Sequence, residues 1–265
     1  MKKLLVLLLL VSSLYSAEAQ DWEAGAWLGM TYSFGDINSE YRFDNPDIGF
    51  GVMSRFNFNR RLSLKLSGSF GQTSGSDALS DEPFQSQRNL SFRTNVYDGT
   101  VQFEFNFLKY EHGSKEHNFT PYLMGGMSMF WFNPQAEYKG QWVDLQPLGT
   151  EGQFRGNEYN LIQPAMAFGG GFKFDITYEW SINLEVSSRF LFTDHFDDVS
   201  GLYPDLEDLE ESRGPVAVAL ADRSANQFLG ETGRQRGDSQ SNDMYVFVGF
   251  TLAYNFAAVK CFKFY

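Results

Sequence analysis

The chain has 265 residues, a net charge of −12 and an aromatic content of 17%, with 27 phenylalanines. The excess of acidic residues argues against a nucleic-acid partner. Cys261 is the single cysteine, so no internal disulfide can form and the fold must be stabilised by its own sheet or core. We recognise no motif that binds a cofactor and expect none.

The N-terminus has the order of a secretory signal peptide. Lys2 and Lys3 precede an apolar stretch over 4–11, and Ala17-Glu18-Ala19 follows it. The apolar stretch is too short to span a bilayer as a helix, although an N-terminal anchor remains the alternative. We predict a signal peptide over 1–19 and a single exported domain over 20–265.

The rest of the chain alternates apolar and polar residues with a period of two, which is typical of strands. This pattern predicts eight strands, followed by a candidate periplasmic tail over 257–265. The predicted strands span residues 22–34, 47–58, 62–72, 94–107, 120–132, 162–175, 181–193 and 243–256.

The connections between these strands differ in length in a regular way. In chain order they have about 12, 3, 21, 12, 29, 5 and 49 residues. In an up-and-down meander the odd connections lie at one end, and a transmembrane β-barrel has long external loops and short periplasmic turns. We therefore predict an all-β fold: an eight-stranded antiparallel up-and-down transmembrane β-barrel.

Most predicted strands have one bulky apolar face and one small or polar face. A bore of eight strands is only just wide enough to be filled by side chains, so we expect the bulky face to meet lipid. Six phenylalanines at strand ends are expected to form interfacial girdles: Phe34, Phe58, Phe107, Phe132, Phe192 and Phe256. The inward charges are expected to pair in a salt-bridge network that fills the lumen: Arg55, Lys65, Glu104, Lys173, Glu185 and Arg189. A narrow charged conduit is the alternative.

The fifth connection, NPQAEYKGQWVDLQPLGTEGQ, is too apolar for a loop that is only solvated. We expect it to fold on the barrel rim and to provide packing or partner contacts. The residues that we assign to this motif loop are Asn133, Pro134, Tyr138, Gly140, Trp142, Leu145, Gln146, Pro147, Leu148, Gly149, Thr150, Glu151 and Gly152. The long loop 194–242 is either a mobile acidic loop or a docking surface.

Three histidines are the candidates for chemistry. His195 lies beside Asp194, Asp197, Asp198 and Ser200, which permits a hydrolase triad or a cation site, but neighbours in sequence do not establish either one. His112 and His117 lie in the turn KYEHGSKEHN, which we interpret as a periplasmic turn. We predict no catalytic residue and no metal site, and therefore no enzyme.

The segments LQPLGTEGQ and DDVSGLY, with FNFNRRLSLKLS and NLSFRTNVYDGTVQFEFNFL, make the chain similar to the PorG-like outer-membrane barrels of Bacteroidetes. The resemblance extends from the first strand to the eighth. It implies an outer-membrane component of the type IX secretion system with a structural or assembly role and no catalysis.

The resemblance also implies partners. These are outer-membrane lipid, the periplasmic ring built from a lipoprotein and its partner subunit, and other barrel proteins of the secretion system. The candidate periplasmic contacts are Tyr110, His112, Lys115 and His117. A small porin or solute channel is the alternative function, and a barrel-embedded hydrolase is a further one.

Overall fold

A computed structural model of the chain describes residues 22–225 and 229–256. The signal peptide predicted over 1–19 and the tail predicted over 257–265 lie outside the described residues. In the described part, no helix is both long enough and apolar enough to cross a bilayer.

The described chain forms one antiparallel sheet that closes on itself. Its strands are β1 (Trp22–Phe34), β2 (Asp47–Asn57), β3 (Leu62–Ser76), β4 (Ser91–Asn106), β5 (Phe119–Tyr138), β6 (Gln141–Asp144), β7 (Ile162–Asp175), β8 (Trp180–Leu191) and β9 (Met244–Asn255). Sequential strands pair around the barrel, and β1 pairs with β9 to close it. The short β6 pairs with β5 above the end of β7, so the barrel wall has eight strands. The predicted fold is confirmed.

The helices are short and lie in the external connections. They are α1 (Pro83–Arg88), α2 (Leu206–Arg213) and α3 (Pro215–Ala221), with single 3-10 turns at Asp77–Leu79 and Gln146–Leu148. The sequence pattern predicted no helix. Helices this short have too few turns to show an amphipathic period, and tertiary packing stabilises them.

The barrel has an apolar outer surface and a polar bore, as the alternation predicted. Phe103 is 62% exposed, whereas its neighbour Glu104 is fully buried and Lys65 is 3% exposed. Outward rings from adjacent strands also contact each other, at centroid distances of 5.3 Å for Phe50–Phe70 and 5.0 Å for Phe70–Tyr97. An apolar belt of this extent is a liability in water and the required surface in lipid.

Two of the predicted girdle residues are placed differently. Phe132 is fully buried because it lies on the inward face of β5, and Phe34 is buried against Tyr41 and Phe43. The sequence did not orient β5 because both of its faces are apolar. Near the external end, the inward face carries Phe130 and Phe132, which pack among the residues of the external connections. The other four girdle phenylalanines are exposed.

Candidate functional site: the external cap

The external connections fold together over one end of the barrel. We call residues 35–46, 77–90, 139–161 and 192–243 the external cap; residues 226–228 lie outside the described part. Cap residues and inward barrel residues share one apolar core. Its buried members are Ile37, Leu90, Phe92, Val96, Phe130, Phe132, Ala136, Leu145, Ala165, Leu191, Phe196, Val199, Leu220, Tyr245 and Phe247. The long loop predicted over 194–242 is therefore largely folded.

The motif loop lies partly in the wall and partly in the cap. Its buried residues are Pro134, Leu145, Gly149 and Thr150; its half-buried residues are Asn133, Tyr138, Gln146, Leu148 and Glu151; Gly140, Trp142, Pro147 and Gly152 are exposed. Lys139 and Gly140, both with positive φ, make the two-residue turn between β5 and β6. The Trp142 ring lies over the guanidinium of Arg93, 3.7 Å from ring centroid to Cζ.

The motif loop is hydrogen-bonded to the segment DDVSGLY. The Thr150 hydroxyl donates to Asp198 Oδ2 at 2.6 Å. Glu151 Oε1 accepts from the backbone N–H groups of Ser200 and Gly201, at 2.9 and 3.0 Å. These two segments of the cap thus contact each other directly, and each fixes the conformation of the other.

Two buried arginines connect all four external connections. Arg236 donates to Glu151 Oε1 at 3.0 Å and to the carbonyl oxygen of Asp198. Arg88 binds Asp77 through two nitrogens at 2.8 Å, and it donates to the carbonyl oxygens of Asp36 and Arg236. No sequence signal indicated these arginines, because their partners come from distant parts of the chain.

An open cleft lies on the outer surface of the cap, between residues 151–155 of the motif loop and α2. Its volume is about 640 Å³. Phe154 is 80% exposed at its edge, and Asp208 and Glu211 lie on the α2 side. Arg213 also lines the cleft, but it is already bound to Glu158 Oε1 at 2.7 Å and to two backbone carbonyl oxygens. The cleft therefore presents carboxylates and an aromatic ring to the outside.

The surroundings of His195 do not form a catalytic triad. Its ring packs on Tyr159 at a centroid distance of 4.8 Å, and among the described residues its Nδ1 has no hydrogen-bond partner. Burial lowers the pKa of His195. Asp198 is bound instead to Thr150 and Tyr159. In the described residues, no three or more His, Cys, Asp or Glu side chains are arranged to hold a metal ion.

In the part of the chain that the structure describes, the bore contains the six predicted charges together with Glu23 and Asp98. Arg55 bridges Glu23 at 2.7 Å and Glu104 at 2.8 Å, and Lys173 binds Glu104 at 2.6 Å. Lys65 pairs with Glu185 at 2.5 Å, and Arg189 pairs with Asp98 at 3.1 Å. Glu23 and Asp98 were not among the predicted lumen charges, although both lie at inward positions of the period-two pattern. A cavity of about 20 Å³ beside Lys65 and Glu185 has room for a single water molecule.

The turn after β4 enters the periplasmic mouth of the barrel. His112 Nε2 lies 3.1 Å from Glu23 Oε1, and His112 Nδ1 lies 2.9 Å from Asp175 Oδ1. Burial opposes protonation, but these two carboxylates raise the pKa of His112 to about 9. Tyr110 is buried and His112 faces the bore, so neither presents its side chain outward. Lys115 is exposed and His117 is half-buried.

The closed wall, the apolar belt, the filled bore and the folded cap define an eight-stranded transmembrane β-barrel. Its fold resembles that of outer-membrane barrels. The chain belongs to the family described as "Domain of unknown function (DUF6089)", whose model matches residues 2–214.

Three solved structures illustrate the similarity of fold. Neisserial surface protein A is 6% identical, with a TM-score of 0.45 and coverage of 88% of this chain and 96% of that one. Ail, the attachment invasion locus protein of Yersinia pestis, is 12% identical, with a TM-score of 0.42 and coverage of 89% of this chain and 97% of that one. The N-terminal β-barrel domain of Pseudomonas aeruginosa OprF is 8% identical, with a TM-score of 0.39 and coverage of 89% of this chain and 97% of that one. No curated protein matches the chain.

Proposed function

We propose that this chain is an outer-membrane subunit of the type IX secretion system with a structural or assembly role. Its partners would be the periplasmic ring of a lipoprotein and its companion subunit, in a membrane of the Bacteroidetes type. The proposal starts from the resemblance of LQPLGTEGQ and DDVSGLY to the PorG-like barrels. These segments belong to the cap, where they are bound to each other.

The filled bore is the observation that carries a structural role. The charged layer around Arg55 and Glu104 lies within the barrel, and the apolar core around Phe130 and Phe196 closes the external end. Because the charged layer and the apolar core both close the barrel, it provides no passage for solutes, and its surfaces are what other proteins can bind. This observation also weighs against the alternative of a porin.

The exposed surface of the periplasmic turn is the proposed contact with the ring. Lys109, Lys115 and Glu116 are exposed there, whereas His112 anchors the turn to the barrel. An anchored turn presents its charged groups in a fixed arrangement, which reduces the entropy lost on binding a partner.

Site-specific photo-crosslinking in native membranes tests this function. A photoreactive residue replaces Lys115, and in a matched control it replaces Phe154, which lies at the external cleft. We expect ring subunits to crosslink to position 115 and not to position 154, and we expect secretion to fail in a deletion strain. Normal secretion in that strain, with no ring subunit captured at position 115, would show that the proposal is wrong.

A further inference from the structure

Two buried carboxylates meet where the cap joins the barrel. Asp197 is 3% exposed and Asp243 is 1% exposed. They come from opposite ends of the last external connection, and both lie against Gly35, which directly follows β1. A Cβ atom at residue 35 would collide with Asp243 Oδ1 and would be 3.2 Å from Asp197 Oδ2. The two carboxylates therefore lie on the same side of this glycine.

Three of the four carboxylate oxygens have a backbone donor. Asp197 Oδ1 accepts from Val199 N at 3.0 Å, and its Oδ2 accepts from Ile37 N at 3.1 Å. Asp243 Oδ2 accepts from Phe196 N at 2.8 Å. Among the described residues, Asp243 Oδ1 has no hydrogen-bond partner. A buried acceptor without a donor is costly, so this oxygen is the place where a proton would stabilise the pair.

The charges around the pair do not neutralise it. Asp36 acts on both carboxylates and Asp194 acts on Asp243, and these acids add to the repulsion. Arg88 is the cation that acts on Asp197, but its salt bridge is to Asp77. Ionising both of two neighbouring carboxylates in a site without water has a high free-energy cost, so one of them keeps its proton. Burial, with the neighbouring acids, raises the pKa of both groups.

We propose that Asp197 and Asp243 share one proton, held on Oδ1 of Asp243, and that this proton locks the external cap onto the barrel. Loss of the proton places two negative charges around Gly35. The contacts to the backbone of Ile37, Phe196 and Val199 then separate, and the cap loosens at the ends of β1 and β9 while the barrel wall stays closed.

The sign of the pH dependence follows from the raised pKa values. The locked cap binds one proton more than the open cap at any pH between the ordinary aspartate pKa, about 4, and the raised value of the pair. In that window the equilibrium constant for opening of the cap rises by about tenfold for each pH unit. The lock is complete at lower pH and lost as pH rises.

Hydrogen exchange of the protein in lipid nanodiscs tests the lock. Exchange is followed at the backbone N–H groups of Ile37, Phe196 and Val199 from about pH 5 to about pH 8, after correction for the intrinsic rate. We expect the corrected opening of the wild type to rise with pH by up to about tenfold per unit. In Asp243→Asn the amide supplies the hydrogen permanently, so the rise should be strongly reduced and alkaline protection should exceed that of the wild type. Asp208→Asn, on the exposed cleft, should behave as the wild type.

Infrared spectroscopy provides a second measurement that does not depend on the cap. The C=O stretch of a protonated carboxyl should be present in the wild type at about pH 8, where ordinary carboxyl groups are ionised, and weaker in Asp243→Asn. The proposal is overturned if Asp243→Asn keeps the pH dependence of exchange, or if the band is absent from the wild type or unchanged in the variant. It is also overturned if Ca²⁺ protects the wild type at alkaline pH and a chelator reverses this, because the pair would then be a cation site.

Discussion

At the scale of single residues, the cap depends on Arg236. This side chain is almost fully buried, and it connects Glu151 of the motif loop with the backbone of Asp198 and Ala221. Its charge lies deep in the cap but has several acceptors around it. Removing one partner of such a pair leaves the other charge buried and unpaired. This destabilises the folded state more than replacing both partners by apolar residues does.

Arg236→Met should therefore destabilise the cap by about 3–5 kcal/mol, because Glu151 loses its cation in a buried site. The barrel wall should remain folded, because Arg236 contacts no charge of the bore. Limited proteolysis should show rapid cleavage within 192–243, while the heat-modifiable mobility of the barrel on gels is retained. Arg155→Met is the control, since Arg155 is exposed and, among the described residues, donates only to the carbonyl oxygen of Ser212. Equal resistance of the two variants would contradict the role of Arg236.

His112 is the second residue with a predicted effect, at the opposite end of the barrel. Its pKa is raised to about 9, with burial opposing the two carboxylates that hold the proton. Because the folded-state pKa exceeds the unfolded one, His112 stabilises the turn fully below about pH 6.5 and loses this effect as pH rises through 9.

An NMR titration of the histidine ring checks this prediction. The His112 signal should still be that of the imidazolium at pH 7.5 and should change near pH 9, about where the turn 107–118 begins to detach. His112→Gln keeps a polar side chain but holds no charge. Its turn should exchange amide hydrogens faster at neutral pH than the turn of the wild type, and that difference should shrink at alkaline pH. A titration near the ordinary histidine value would contradict the ion pairs.

At the scale of elements, the motif loop depends on backbone conformations that favour glycine. Gly149 and Gly152 both have positive φ, and a Cβ at Gly152 would be 2.9 Å from the Cβ atom of Pro204. Gly156 also has positive φ, but nothing lies within 4 Å of its Cβ position. A comparison of substitutions at Gly152 and Gly156, which lie in the same external connection, therefore distinguishes the effect of steric contact from that of backbone strain alone.

Gly156→Ala should cost about 1–2 kcal/mol of cap stability, from backbone strain alone. Gly152→Ala should cost more, because the added methyl group also pushes against Pro204 and disturbs the neighbouring contacts of Glu151. Amide exchange at Ser200 and Gly201, which donate to Glu151, measures the difference. Equal exchange in the two variants would show that the contact with Pro204 is not important.

The predicted and observed elements agree where side chains alternate between lipid and bore. Phe103 and Glu104 show why: each strand of a barrel has only two environments, and the chain must satisfy both. The short hairpin at Lys139-Gly140 and the helices α2 and α3 were missed. Their stability comes from contacts between distant segments, such as Arg213 with the carbonyl oxygen of Pro147, and a local period cannot reveal such contacts.

The same limit applies to the cap. The apolar residues of the motif loop indicated that it is folded, and Leu145 is indeed buried and Leu148 half-buried, whereas Trp142 is exposed. The sequence did not indicate Arg88, Arg236 or the pairing of Asp197 with Asp243, since these residues are far apart in the chain. Inward charges were easier to predict, because a fixed parity along each strand places them in the bore.

At the scale of the whole molecule, two different layers close the barrel. The ion pairs of Arg55, Glu104 and Lys173 fill the bore toward the periplasmic side. Toward the outside, the ring of Phe196 packs on Tyr245 at 5.3 Å and on Phe132 at 5.5 Å. One layer is polar and the other apolar, so a change that weakens one leaves the other in place.

Wild-type protein in planar bilayers should therefore be electrically silent. Arg55→Ala with Glu104→Ala opens the polar layer and separates Glu23 and Lys173 from their partners, but the variant should remain silent, because the aromatic layer still excludes water. Phe130→Ala with Phe196→Ala should also remain silent, since the ion pairs still fill the bore. Only the protein with all four substitutions should conduct, in small and irregular steps as water enters both layers. A steady current from the wild type would instead establish a channel, because two intact layers leave no path for an ion.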